Sequence, residues 1–425
     1  MTATLFLGAR LLDPAGGTDM VGDLLVHDGA IADLGQNIGR PDEAETIDAA
    51  GLCLAPGIVD LRAATGEPGA EYRETIASLA EAAAAGGITT VCALPDTDPP
   101  LDDPALVQFI LRRGEATGGL TLLPYAAATK GCDGSEIAEY GLLREAGAIA
   151  FTDGRRAIAS ARVMRLALSY ARGFGSFVVQ HPEEPTLAAG GAATEGELAT
   201  RLGLPGIPAA AEVLMVRRDI ALARLTGGHV HFAHVSTAAA LEEIRAAKAE
   251  GLAVTCDTAP PYFDLNETAI GDWRSYAKLS PPLRPEVDRL AVVAALQDGT
   301  IDAIASDHQP RDADDKRQPF AQAEAGGAGL ATLLGVTLAR VHAGDLSLLQ
   351  ALDLLTARPA RLLGLPVGRL AKGAPADLVL FDPDRGWQVK AGQLPGKAQN
   401  SPFDGRALEG RVTGTWKAGR RVFGA

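Results

Sequence analysis

Histidines and aspartates that follow apolar segments are the residues of this chain best suited to chemistry. Four of them end or follow four different segments: Asp153 in GAIAFTD, His181 in FVVQH, His234 in GHVHFAHVST and Asp307 in IASDH. Imidazole and carboxylate groups that converge on one point suit a borderline metal such as zinc, with an open position for water. A single such residue would more often cap a strand, but four on separate strands favour a metal site.

The elements that must position these residues are short strands that alternate with helical segments. Eight strand candidates occupy the middle of the chain, most of them with a helix after them: GIVDL, GITTVCAL, LTLLPYAA, GAIAFTD, FVVQH, VHFAHVST, LAVTCD and DAIASDH. Alternation of this kind predicts a parallel sheet, and eight units predict a closed (β/α)8 barrel. Reactive groups in such barrels lie at the carboxyl ends of the strands, here called the mouth.

The two ends of the chain differ from the middle. Both consist of apolar runs separated by Gly, Asp and Pro turns, which predicts short strands without helices. We therefore expect an α/β protein with a barrel over residues 55–365. Residues 1–54 and 366–425 are expected to combine into one small β-sandwich domain.

Composition excludes several classes of protein. The 425 residues are 47% hydrophobic and 22% charged, which is typical of a soluble globular chain. The net charge of −14, with no basic stretch, argues against nucleic-acid or anionic-membrane partners. No window approaches the length of a transmembrane helix, and no signal peptide is evident. Four scattered cysteines without a CxxC motif predict a reducing, cytoplasmic location.

Three histidines in GHVHFAHVST cannot all line the mouth if the segment is one regular strand. A period of two places His234 on the face of Val230 and Phe232, and His229 and His231 on the opposite face. We therefore expect at least part of this trio to be structural.

Longer segments resemble the cyclic amidohydrolases, and most closely the dihydroorotases of the long bacterial type. The resemblance runs nearly end to end, through APGIVDLRAATGEPG, AGGITTVCALPDTDPP, GAIAFTDGRR, QHPEEP, GHVHFAHVST, AKLSPPLRPEVDRL, ARPARLLGL and KGAPADLVLFDPD. It implies a metal-binding barrel with a β-sandwich. It also implies interconversion of carbamoyl aspartate and dihydroorotate, in which zinc-held hydroxide attacks the ring amide and an aspartate moves the proton.

The resemblance breaks down at the first strand. In the family this strand ends in His-x-His, which holds the first metal. Alignment without a gap from residues 56–57 to residues 67–69 places these histidines on Arg62 and Ala64. Neither side chain can bind zinc, because arginine stays cationic and alanine has no donor atom. The family's substrate-binding arginine falls on Gly66.

Other positions depart in the same way. Asp96 stands where the family has a substrate-contacting asparagine, and its carboxylate would repel the substrate's own. Ser280 replaces another asparagine, Arg311 replaces a histidine, and Tyr262 stands at the strand-seven histidine. Asp96, Ser280 and Arg311 could instead line the pocket of a different cyclic amidohydrolase.

Four positions agree with the family pattern. By resemblance, Asp153 is the bridging ligand, His181 and His234 hold the second metal, and Asp307 shuttles the proton. These residues imply at most one zinc ion per chain, or none if they survive as hydrogen-bonded packing. We hypothesise that Arg62 fills the space of the lost metal and bridges Asp153 and Asp307, which would otherwise be close, unpaired carboxylates.

Three functions follow from these observations. The first is a catalytically degenerate dihydroorotase-like protein of pyrimidine biosynthesis that serves as a partner of aspartate carbamoyltransferase. The second is an active zinc dihydroorotase that uses the remnant metal and Asp307, and the third is another cyclic amidohydrolase acting on a small molecule. A homo- or hetero-oligomer is expected. The polar, glycine-rich segment at 311–330 is predicted to be a mobile loop that covers the site or docks a partner.

Overall fold

The computed structural model describes residues 3–39, 41 and 43–424. In chain order the strands are β1 (Ala3–Asp13), β2 (Thr18–His27), β3 (Ala30–Gly35), β4 (Glu45–Asp48), β5 (Cys53–Pro56), β6 (Ile58–Ala63), β7 (Ile88–Ala93), β8 (Thr121–Pro124), β9 (Ala126–Ala127), β10 (Phe151–Thr152), β11 (Val178–Gln180), β12 (Ala193–Thr194), β13 (Gly206–Ile207), β14 (Val230–Phe232), β15 (Val254–Thr258), β16 (Ala303–Ile304), β17 (Leu378–Gln388), β18 (Ala407–Lys417) and β19 (Arg420–Phe423).

The α-helices alternate with the middle strands, as the sequence pattern predicts. They are α1 (Ile76–Ala85), α2 (Pro104–Thr117), α3 (Tyr140–Glu145), α4 (Ala161–Gly173), α5 (Pro185–Ala188), α6 (Glu197–Leu202), α7 (Ala210–Thr226), α8 (Ala238–Ala249), α9 (Pro260–Asp264), α10 (Glu286–Asp298), α11 (Ala313–Lys316), α12 (Leu333–His342), α13 (Leu348–Leu355) and α14 (Ala357–Leu362). Among the described residues, none of these helices combines the length and the apolar character needed to span a bilayer.

The two ends of the chain pair with each other in one mixed sheet. Its order is β19-β18-β17-β5-β1-β2-β3, with β4 beside β1. The link between the ends is the antiparallel pair of β5 and β17, in which Pro56 lies opposite Leu378. The Phe6 and Trp416 rings pack edge to face at 4.8 Å in the core of this sheet. The exact domain limits of 54/55 and 365/366 stay predictions.

All eight predicted barrel strands form: β6, β7, β8 continued by β9, β10, β11, β14, β15 and β16. Every pairing among them is parallel. The ring closes where Ala63, the last residue of β6, bridges His308, which follows β16. The sequence prediction of a (β/α)8 barrel is therefore confirmed, and strand one meets strand eight at the mouth.

Alternation along the strands separates two apolar layers. Phe151, Val178 and Phe232 face the surrounding helices, whereas Val179 and Ala233 belong to the cluster inside the barrel. Burying a side chain of this size stabilises the fold by about 1.5–3 kcal/mol. These layers hold the strand ends, and hence the candidate site residues, in fixed positions.

Candidate active site

Two of the predicted site residues occupy uncommon backbone conformations at strand ends. His234 has φ 41° and Asp307 has φ 46°. Left-handed conformations are uncommon for residues other than glycine and often occur at functional sites. Since β14 already ends at Phe232, the strand period does not extend to His234. The expectation that His231 and His234 face opposite sides of one regular strand was therefore wrong.

A continuous chain of polar contacts crosses the mouth, and we call it the Arg62 chain. His181 Nδ1 lies 2.6 Å from His234 Nε2, and His234 Nδ1 lies 3.2 Å from Asp307 Oδ2. Arg62 Nε donates to Asp307 Oδ1 at 2.9 Å. Arg62, His181 and His234 are buried, and the Asp307 carboxylate is partly accessible to solvent. The structure thus brings together three of the four predicted metal ligands and one arginine.

Asp153, the fourth predicted ligand, does not join this chain. Its carboxylate accepts hydrogen bonds from the Thr129 amide at 2.8 Å and from the Thr129 hydroxyl at 2.7 Å. Burial raises the pKa of Asp153 to about 6. Arg62 Nη2 donates instead to the carbonyl of Gly154, at 2.9 Å. Arg62 therefore reaches Asp307 as hypothesised, but it does not bridge to Asp153, because Thr129 already occupies both of that carboxylate's oxygens.

The charge on Asp307 is stabilised from two sides. Burial alone would raise its pKa, but His234 and then Arg62 outweigh burial and hold the pKa well below its usual value. Burial also lowers the pKa of His234. An imidazole whose pKa is lowered in this way is mostly neutral near pH 7, whereas a guanidinium stays charged. Of the two groups that lower the pKa of Asp307, Arg62 is therefore the permanent cation.

The residues in this arrangement do not fit a zinc ion. Two imidazole nitrogens that bind one tetrahedral zinc at about 2.0–2.1 Å lie about 3.3 Å apart. His181 Nδ1 and His234 Nε2 are 2.6 Å apart, the separation of a hydrogen-bonded pair. In the described part of the chain, no group of three or more His, Cys, Asp or Glu side chains is arranged to hold a metal. The cationic Arg62 occupies the remaining side of Asp307.

A second histidine–aspartate pair supports the Arg62 chain from inside the barrel. His231 Nε2 lies 2.9 Å from Asp257 Oδ2, and His231 Nδ1 lies 2.8 Å from the Thr255 hydroxyl. The other oxygen of Asp257 accepts the backbone amide of His234 at 2.7 Å. Asp257 thus fixes His234 in its strained conformation. The sequence carried a signal for this residue, because Asp257 ends the predicted strand LAVTCD.

Sequence reasoning also missed Glu183, which lies beside His181, at the end of the Arg62 chain opposite Arg62. Its Oε2 is 3.6 Å from His181 Nε2 and accepts a hydrogen bond from the Ser280 hydroxyl at 3.2 Å. The signal was its position two residues after His181 in QHPEEP. Ser280 therefore lies on the His181 side of the mouth, where it contacts the Arg62 chain.

The other predicted substrate residues do not share a cavity with Ser280. Asp96 and Arg311 line one cavity, and Ser280 lines another. Asp96 is paired with Arg155, whose Nε donates to Asp96 Oδ2 at 2.5 Å. This ion pair neutralises the carboxylate that we expected to repel an anionic substrate. Tyr262, at the family's strand-seven histidine position, is buried, and its hydroxyl donates to the carbonyl of Pro281 at 2.9 Å.

Comparisons with known proteins agree with the resemblance. A family profile described as Dihydro-orotase-like matches residues 51–240. The dihydroorotase of Citrifermentans bemidjiense is 42% identical over 421 residues, which are 99% of each chain. The dihydroorotase of Anaeromyxobacter dehalogenans is 44% identical and covers 99% of this chain and 98% of its own. The chain belongs to the dihydroorotase family.

Solved structures confirm the fold class of this dihydroorotase-family protein. The L-hydantoinase of Arthrobacter aurescens superposes with a TM-score of 0.89 at 26% identity, covering 100% of this chain and 96% of its own. A D-hydantoinase superposes with a TM-score of 0.84 at 24% identity, which bears on the fold alone. The fold is the amidohydrolase barrel with an added β-sandwich.

Proposed function

We propose that this dihydroorotase-family protein does not catalyse zinc-dependent ring opening and instead serves as a structural partner of aspartate carbamoyltransferase in pyrimidine biosynthesis. The observation that carries the proposal is the buried contact of 2.9 Å between Arg62 and Asp307. Asp307 is the residue that would have to receive and return a proton. A general base works best when its pKa lies near the working pH, and His234 together with Arg62 keeps the pKa of Asp307 well below its usual value.

The supply of a nucleophile leads to the same proposal. Water becomes an effective nucleophile near neutral pH when a metal lowers its pKa to about 7. Among the residues that the structure describes, the short contact between His181 and His234, together with the contact of Arg62 with Asp307, leaves no suitable set of metal ligands at this end of the barrel. The partner itself is proposed from the family resemblance.

The test is an assay of dihydroorotate hydrolysis and of carbamoyl aspartate cyclisation by the purified chain. Each direction is measured with zinc added and with a chelator, and both with and without aspartate carbamoyltransferase. Size-exclusion chromatography with light scattering measures complex formation in the same samples. We expect no turnover by this chain and a stable complex. Turnover that depends on zinc and is lost in Asp307→Asn would contradict the proposal.

A second candidate is the active zinc dihydroorotase. It is favoured by relatives of that name at 42–44% identity over nearly the whole chain. His181, His234 and Asp307 also stand at the matching positions. For this function Arg62 must leave Asp307, and the two histidine nitrogens must move apart to admit a metal. Zinc-dependent turnover in the same assay would decide for this candidate.

A further inference from the structure

A cavity of about 600 Å³ lies where the barrel helices meet the β-sandwich, away from the mouth. Its walls come from α1, α12, the strand pair β17–β18, β19 and the segment that follows β17. The described residues that line it are all distinct from those of the Arg62 chain. Ordinary small-molecule sites measure about 300–1,000 Å³ and often lie between domains. The cavity is therefore large enough for a small ligand that contacts both domains at once.

One wall of the cavity is the partly accessible indole ring of Trp387. The ring is held in place, because its Nε1 donates to the carbonyl of Gly410 at 2.9 Å. Helix α12 approaches the same strand closely: a Cβ on Gly335 would lie only 3.3 Å from the carbonyl oxygen of Gly410. The cavity thus presents an oriented aromatic surface, which favours a ligand that contains a flat ring.

Two cations, Lys390 and Arg411, line the same cavity as Trp387. The guanidinium carbon of Arg411 lies 6.0 Å from the centroid of the Trp387 ring, at the outer limit of a cation–π contact. Within the described ranges, neither cation has a carboxylate at ion-pair distance, and no Asp or Glu lines the cavity. Asp382 lies opposite Arg411 in the strand pair, but it accepts two backbone amides of its own turn instead. The lining therefore combines an aromatic face with two cations that have no counter-charge in the protein.

We propose that this cavity binds a nucleoside monophosphate, with its base against Trp387 and its phosphate between Lys390 and Arg411. The oxygens of one phosphate can accept hydrogen bonds from an ammonium and a guanidinium together. The amides of Gln388 and Gln393 also line the cavity, and they can donate to or accept from the polar atoms of a base and a ribose. The net charge of −14 disfavours a polynucleotide, whereas a mononucleotide needs only these local cations.

The test is isothermal titration calorimetry of the purified chain with AMP and with UMP. Two further probes separate the halves of the ligand: the matching nucleoside lacks the phosphate, and ribose 5-phosphate lacks the base. At least one nucleotide is expected to bind saturably and about tenfold or more tightly than its nucleoside, which cannot form the charge-assisted hydrogen bonds. It should exceed ribose 5-phosphate by a similar factor, because that probe cannot stack on the indole. Binding makes and breaks no bond, so the result does not depend on whether the chain hydrolyses dihydroorotate.

Variants test whether the nucleotide binds in this cavity. Lys390→Gln and Arg411→Gln should each weaken nucleotide binding about tenfold. Arg385→Gln removes the same charge from an exposed residue of β17 that does not line the cavity, so it should leave binding unchanged. The nucleotide should also quench tryptophan fluorescence, and Trp387→Phe should remove that quenching although the other tryptophans remain.

Three results would overturn the proposal. One is the absence of saturable binding of both nucleotides, or binding no tighter than that of the nucleoside or of ribose 5-phosphate. Another is equal weakening by Arg411→Gln and Arg385→Gln, which would indicate a diffuse charge effect. The third is quenching that persists in Trp387→Phe, which would place the nucleotide elsewhere on the chain.

Discussion

Replacing Arg62 by methionine should destabilise the fold strongly, although methionine fills much of the same volume. The variant loses the cation that faces Asp307 at 2.9 Å and the donor to the Gly154 carbonyl at 2.9 Å. Removing one partner of a buried ion pair costs about 3–5 kcal/mol, because the other charge stays buried without compensation. We therefore expect the free energy of unfolding to fall by about that amount at pH 7.

Urea denaturation followed by circular dichroism measures this loss. Arg245→Met is the matched control, because its partner Asp298 is also an aspartate but both side chains are more than 40% exposed. Such surface pairs contribute about 0–1 kcal/mol. Arg62→Lys keeps the charge but not the forked geometry of the guanidinium. Its free energy of unfolding should therefore fall by an amount between those of Arg62→Met and Arg245→Met.

Acidification gives a second reading of the same interaction. A carboxyl group whose pKa is lowered in the folded state contributes stability above its unfolded pKa of about 3.9, and this stability is lost as the pH falls below it. The difference between the parent and Arg62→Met should therefore shrink below about pH 4. A loss in Arg62→Met no larger than in Arg245→Met, or a difference that does not depend on pH, would refute the argument.

Three further predictions concern other parts of the chain. Restoring histidines with Arg62→His and Ala64→His should raise zinc binding above that of the parent, as measured by mass spectrometry of bound metal; equal zinc content would show that these positions do not control it. Burial lowers the pKa of His229 to about 4, so the parent should lose stability as the pH falls from about 6.5 towards 4, and His229→Gln should flatten that fall in urea titrations. Lys316 Nζ donates to three backbone carbonyls, so Lys316→Met should cost about 1–3 kcal/mol and speed proteolysis near α11. The exposed neighbour substitution Arg317→Met should leave both unchanged; equal effects of the two would contradict that role.

The barrel was predictable from the sequence because its signals are local and repeated. Each strand candidate is apolar and short, and the helices between them carry clear starts, such as the capping box at Thr75 and the cap at Thr237. Pairing of the two chain ends was also predictable, because both consist of apolar runs separated by Gly, Asp and Pro turns. The register that joins β5 to β17 depends on contacts more than 300 residues apart, and no local pattern encodes it.

The candidate site was only partly predictable. The strand ends predicted that His181, His234 and Asp307 would lie together, because topology alone brings strand ends together. The hydrogen-bond acceptor of Arg62 was not predictable, because it depends on Thr129 donating to both oxygens of Asp153. The 311–330 segment illustrates the same limit. Its composition predicts a mobile loop, whereas the buried ammonium of Lys316 ties α11 to carbonyls of neighbouring segments.

We expect Arg62 to stand where a catalytic metal would have to bind. The decisive measurement is the zinc content per chain, determined by mass spectrometry after purification in zinc and exhaustive dialysis. The Arg62 chain predicts zinc far below one ion per chain, with no change in Asp307→Asn. Stoichiometric zinc that is lost in Asp307→Asn or His234→Asn would contradict the claim and would favour an active dihydroorotase.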